Sequence, residues 1–148
     1  MRVEVDQSGK VEDTRVDTVL TFSNRASGSI LIPAEVKREC VEFVRDDRHK
    51  TKTLYLRIFC AGLFLLLESK LPKIDQIIID VEYLGREHDI KALLLRLIWK
   101  VYPTFDPDNI QFASVGKDSP AHVKGYSVFT GSEEADREIS FKEIRDFL

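Results

Sequence analysis

The sequence predicts an α/β domain built on a mixed sheet, and three observations lead there. Ile77-Ile78-Ile79 is an unbroken β-branched run, which reads as a strand covered on both faces. Ahead of it lie three extended segments separated by turn residues, the pattern of an antiparallel meander. Behind it, helical and extended patterns alternate, which calls for parallel pairing through right-handed crossovers.

Taken in order, Arg2-Val3-Glu4-Val5-Asp6 alternates, with Val3 and Val5 on one face and Glu4 and Asp6 on the other. Gln7-Ser8-Gly9-Lys10 makes a turn. Residues 17–23 form a second strand, Asn24 to Gly28 is turn chemistry, and residues 29–32 form a third. Pro33 suits the first turn of a helix. From Ala34, Val36, Cys40, Phe43 and Val44 keep helical spacing, with Glu35, Lys37, Arg38, Glu39 and Glu42 placed outside. A charged junction at residues 46–52 leads into a second helix over about 53–69, apolar nearly all round and therefore buried. Pro72 breaks it. The central strand follows from about Asp75 and carries Asp80-Val81-Glu82-Tyr83 at its end. A third helix runs through Ile90, Leu94, Leu97 and Trp99, with Trp99 assigned to the core, and closes at Tyr102-Pro103. Residues 110–115 form a fifth strand beside the fourth. An Asp118 or Ser119 cap with Pro120 starts a helix reaching about Thr130. A short extended piece over 137–139 and a helix capped by Ser140 complete the chain.

At 148 residues and 17.0 kDa, a single domain over 1–148 is expected. Hydrophobic residues at 43% and charged residues at 32% are those of a globular chain. Charges at Arg2, Glu4, Asp6 and Lys10 argue against a secretory signal, and the apolar window 58–67 is much shorter than the ~20 residues of a spanning helix. No membrane association and a cytoplasmic location are therefore expected. Cys40 and Cys60 each sit inside a helical pattern and read as buried thiols. The net charge of −3 gives no global attraction to nucleic acid. Arg45, Arg48, His49, Lys50, Lys52 and Arg57 nevertheless crowd one stretch, either as a solvated helix junction or as a phosphate-contacting patch.

The acids at the end of the central strand are harder to explain by packing. Side chains alternate along a strand, so Asp80 and Glu82 are expected on one face about 7 Å apart. They fall at the carboxyl end, where α/β sheets open their sites. Two like charges there call for a cation, a proton or water. The plainer alternative is a strand that ends at Val81 with both acids solvated.

Three antiparallel strands, a helical stretch, a strand, a helix, a strand and a helix is an element order that resembles the ribonuclease H-like superfamily. Asp6 followed by Gln7-Ser8-Gly9 is similar to the start of such domains, and Glu82 with Asp80 lies at the end of the fourth strand. Asp118 and His122, at the start of the helix after the fifth strand and one turn apart on the same face, resemble the last acidic or histidine ligand of the Holliday-junction resolvase branch. The candidates for an acid in the first long helix are Glu39 and Glu42, in an extra segment, and Glu68, near the helix end; the three-station resolvase pattern is therefore the closer one.

The resemblance implies a five-stranded mixed sheet flanked by helices and a nuclease that cleaves structured or hybrid DNA or RNA with Mg²⁺ or Mn²⁺. It implies metal ligands at Asp6, Asp80, Glu82 and Asp118, with Asp6 bridging two ions, and His122 as ligand or proton carrier. Lys117 and Lys124, together with Arg48, Lys50 and Lys52, are the candidate phosphate contacts. Each residue also has a plainer explanation: Asp6 as a turn residue, Asp118 as a helix cap, His122 as a packed histidine. A non-catalytic nucleic-acid- or protein-binding module on the same fold is the competing function. A homodimer through the outer side of the helix pair is compatible with the pattern, although no periodic seam demands one. A small-molecule enzyme has no support from a glycine-rich phosphate loop, a nucleophile elbow or a cysteine-histidine metal motif.

Overall fold

The structure, a computed structural model, describes residues 1–24 and 26–148; Arg25, within the expected turn after the second strand, lies outside the described residues. Among the described residues the chain forms β1 (Arg2–Ser8), β2 (Thr18–Ser23), β3 (Ser27–Ile32), α1 (Ala34–Val44), α2 (Arg48–Leu67), β4 (Gln76–Asp80), α3 (Glu87–Val101), β5 (Ile110–Ala113), α4 (Pro120–Phe129), β6 (Arg137–Glu138) and α5 (Phe141–Arg145). They build one mixed sheet in the order β5-β4-β1-β2-β3-β6. The β1-β2-β3 meander is antiparallel, whereas β4 pairs with β1, β5 with β4 and β6 with β3 in parallel. The sheet thus has six strands and not the five expected, because residues 137–138 add to the outer edge of β3. The apolar fourth strand is also not central; β1 and β2 occupy the middle.

Strand alternation decides what each face carries. Val3, Val5, Leu20, Phe22, Ile30, Ile32, Ile77 and Ile79 join one continuous core with α2, whose apolar residues are buried from Leu54 to Leu67. Gly62 lets α2 lie close to the sheet: a Cβ there would meet Leu20 Cδ1 at 2.6 Å. The interleaved residues Glu4, Asp6 and Ser8 face the other way, toward α4, which packs on β1 and β2. Gly125 makes that approach possible, since a Cβ would stand 3.1 Å from Ser8 Oγ and 3.2 Å from Thr21 Oγ1. The buried Thr21 hydroxyl donates to the Ala121 carbonyl at 2.7 Å, fixing the first turn of α4 against β2.

Several local expectations change for physical reasons. The charged stretch before the second helix is its first turn: Asp47 accepts from the Lys50 amide at 3.0 Å and starts α2 at Arg48. Trp99 is not core but 42% exposed, with its indole N–H donating to the Phe105 carbonyl at 2.9 Å. Lys37, expected on the outer face of α1, is fully buried. The β1–β2 connection folds over it, and its ammonium donates to the Lys10 carbonyl, the Asp13 carbonyl and Thr18 Oγ1 at 3.1, 2.7 and 3.0 Å. Three acceptors on one buried cation tie that loop to the first helix. Cys40 and Cys60 are free and buried, and burial pushes both thiols up to about 12, so neither is a nucleophile. Among the described residues no helix is long and apolar enough to cross a membrane.

Replacing the buried ammonium while keeping the side-chain length isolates its role. Lys37→Met is expected to leave its acceptors unsatisfied at a cost of about 3 kcal/mol. Thermal unfolding should show a melting temperature lower by roughly 6–12 °C. A variant melting with the wild type would mean that water replaces the ammonium without loss.

Candidate metal centre

The site begins with the parallel pairing of β1 and β4. Because Val5 lies opposite Ile79, both strands deliver their carboxyl ends to the same edge of the sheet. Asp6 and Asp80 are the next residues on each. Beyond Asp80 the Val81 amide still bonds to the Ala113 carbonyl at 3.2 Å, but regular strand structure has ended. Glu82 is therefore carried by the loop leaving β4, not by the strand. Its carboxylate nonetheless turns back, and ligand oxygens of Asp6, Asp80 and Glu82 lie within 4.8 Å of one another. The expectation that Asp80 and Glu82 lie on one continuous strand is corrected: the strand ends at Asp80, and the two carboxylates meet from strand and loop.

Each aspartate is anchored through one oxygen. His122, from the first turn of α4, places Nδ1 2.8 Å from Asp6 Oδ2. The Val115 N–H, just past β5, donates to Asp80 Oδ1 at 2.7 Å. Asp6 is only 3% exposed, whereas the His122 side chain is 34% exposed. Burial raises the Asp6 carboxyl above its ordinary range, opposed by the His122 hydrogen bond and by the Gln7 amide. Glu82 is pushed up to about 7, first by burial, then by a hydrogen bond with Asp80 and by the negative charges of Asp80 and Asp6; Lys10 acts in the opposite sense. The three carboxylates offer hard oxygen donors close enough together that they could hold a metal ion.

Of the residues expected here, the fold brings together Asp6, Asp80, Glu82 and His122. It does not bring Asp118 into the carboxylate cluster. The Ser119 amide bonds to the Gly116 carbonyl at 2.9 Å, closing a turn that holds Asp118 and Lys117 in an exposed loop ahead of α4. Asp118 is thus off the helix and does not share a face with His122. Nor does Asp118 cap the helix: Ser119 occupies that position without a side-chain capping bond and instead donates to Glu4 Oε2 at 3.0 Å. Lys124 approaches Glu133 at 3.5 Å and Asp136 at 4.0 Å, where it ties α4 to the segment leading into β6. Arg48, Lys50 and Lys52 start α2, which packs on the opposite face of the sheet from α4, so they do not line the carboxylate cluster.

Other participants were not foreseen. The Tyr83 hydroxyl stands 3.1 Å from Gln7 Oε1 and 3.0 Å from Glu12 Oε2. It links the loop beyond Glu82 to the residue beyond Asp6, bracing the two arms of the cluster. Its ring packs against Tyr55 and Phe59 of α2, with centroids 5.3 Å away in each case. Adjacency to Asp6 and Glu82 was the only available signal, and it says nothing about which side chains meet. Compared with protein-family models, curated protein sequences and solved structures, the chain matches none of them.

The carboxyl of Glu82 ionises at higher pH in the folded protein than in the unfolded chain, so folded-state stability falls as pH rises from about 4.5 to about 7 and the full cost is present above that. Glu82→Gln removes that cost. The metal-free variant should melt about 2–4 °C above the wild type at pH 8, roughly 1 kcal/mol after allowance for solvent screening, and little differently near pH 5. Millimolar Mg²⁺ or Mn²⁺ should stabilise the wild type more at pH 8 than near pH 5, because protons compete for the same oxygens. A wild-type-to-variant difference independent of pH would remove Glu82 from the cluster.

Proposed function

We propose that the protein is a metal-dependent phosphodiester hydrolase acting on nucleic acid, with a ribonuclease H-like arrangement of the resolvase type. One observation carries this reading: carboxylates from the first and fourth strands meet at one sheet edge, with a histidine from the helix after the fifth strand bonded to the most buried of them. The strand order β5-β4-β1-β2-β3, antiparallel in the meander and parallel beyond it, supports the same reading. The third station differs from the expected one, since His122 and not Asp118 reaches the site.

Mg²⁺ or Mn²⁺ bound by Asp6, Asp80 and Glu82 would supply charge neutralisation at a phosphate and a lowered pKa for attacking water. The chain contributes orientation and proton handling. His122 and the Val115 amide each hold one aspartate oxygen, which limits rotation of the carboxylates. When His122 Nδ1 carries the proton donated to Asp6, Nε2 is left to accept a proton from water or return one to a leaving oxygen. Glu82 must lose its proton to act as a ligand, so metal binding, and with it activity, rises with pH.

The test is cleavage of junction, hybrid and single-stranded substrates in Mg²⁺ or Mn²⁺. Asp6→Asn should abolish detectable turnover, and His122→Ala should lower it by about 10–100-fold, as expected for a group that orients a ligand. The wild-type rate should increase between about pH 6 and pH 8. Undiminished cleavage by Asp6→Asn would defeat the reading.

A further inference from the structure

The cations of this acidic chain are not spread evenly. Across its whole length α2 carries Arg48, Lys50, Lys52 and Arg57 and no Asp or Glu. After its first turn α3 carries Lys91, Arg96 and Lys100, again with no acid. These seven of the chain's 22 Lys and Arg leave fifteen to face all 25 Asp and Glu elsewhere. Among the described residues none of the seven forms an ion pair, although acids outnumber cations overall.

Packing brings four of them, Arg57, Lys91, Arg96 and Lys100, onto one grooved surface of the two helices. α2 and α3 lie side by side, and their leading ends are tied together by Arg86 Nη1 donating to Tyr55 Oη at 3.1 Å. Arg96 is common to three adjoining grooves: one of about 490 Å³ with His88, Lys91 and Trp99, one with His49, Arg57, Arg86 and Asp89, and one with Arg57, Lys100 and Asp146. At 1.5 Å per residue, the span from Arg48 to Arg57 or from Lys91 to Lys100 is about 14 Å, comparable to about four successive phosphates at 3.4 Å per strand. Tyr55 of α2, the partner of Arg86, packs on Tyr83, the residue after Glu82. Trp99, half-exposed and fixed at its N–H, offers an aromatic surface at the other end.

We infer that the α2–α3 band binds the phosphate backbone of a nucleic-acid arm that extends past the acidic pocket. The choice of nucleic acid over an acidic protein rests on the phosphodiester-hydrolase reading, and it makes the substrate one with a second arm or strand to reach this face. Arg57, Arg96 and Lys100 are the residues farthest along the band that the pocket itself does not need.

The experiment is fluorescence anisotropy with a labelled 30-base-pair duplex in EDTA, where no turnover occurs, over a range of NaCl. The triple variant Arg57→Gln/Arg96→Gln/Lys100→Gln should bind roughly 10–100-fold more weakly, with a salt dependence shallower by about 2–3 in log–log slope. A Lys70→Gln/Lys73→Gln control, in the segment between α2 and β4, should bind as the wild type does. Arg96→Gln alone, at an exposed position, should still reduce the slope by about 1 and covers the case in which the triple variant misfolds. Unchanged affinity and slope in both Arg96 variants, or no duplex binding by the wild type, overturns the inference. Displacement of the duplex by polyglutamate as effectively as by unlabelled duplex also overturns it, in favour of an acidic protein partner. Cleavage by Asp6→Asn bears on the acidic pocket alone, so the two readings fail separately.

Discussion

Asp6 is a carboxylate buried almost completely in the middle of a sheet, within coordination distance of two further acids. Such a group is tolerated only if other parts of the chain meet it, and here the contact is made by His122 from a helix 116 residues away in sequence. That bond depends in turn on how closely α4 approaches β1 and β2. Gly125 lets the helix backbone come down onto Ser8 and Thr21, and Thr21 locks its first turn through the Ala121 carbonyl. The imidazole is delivered to Asp6 by packing one turn further along the same helix.

The opposite face solves a different problem. There α2 buries apolar residues on all sides and approaches the sheet at Gly62, so its polar residues are confined to its first half and its outer edge. Buried Lys37 secures the β1–β2 connection over α1, and Tyr83 braces the exit of β4 against Gln7 and Glu12. The carboxylate cluster therefore sits between two restrained loops, on an edge where both neighbouring strands point their carboxyl ends. The same arrangement separates charge: acids converge on the α4 side, while the α2–α3 layer carries cations without acidic partners.

Much of the architecture was legible because it is written in short-range patterns. Alternation in the first strand correctly put Val3 and Val5 on one face and Asp6 on the other, and Ser140 does start the last helix, with a capping box to Glu143. Patterns failed where a distant partner overrode them. Lys37 has the spacing of an exposed helical residue but is enclosed by loop carbonyls. Trp99 has the spacing of a core residue but lies outside the layer that α2 and α3 share. Asp118 stands next to a helix start, yet a turn closed by Ser119 leaves it in solvent.

By itself the sequence determined the periodicities, the order of strands and helices, and the presence of acids in the first strand and at the end of the fourth, although the first strand runs on through Gln7 and Ser8, where a turn was expected. Those properties depend on neighbours within a few residues, where side-chain alternation and capping act. Only the tertiary structure decided which acids converge, that Glu82 turns back after the strand ends, that His122 meets Asp6, and that Arg57, Lys91, Arg96 and Lys100 from two helices line adjoining grooves. These outcomes depend on separations through space between residues far apart in the chain, and they are set by helix-to-sheet approach distances that no local pattern encodes.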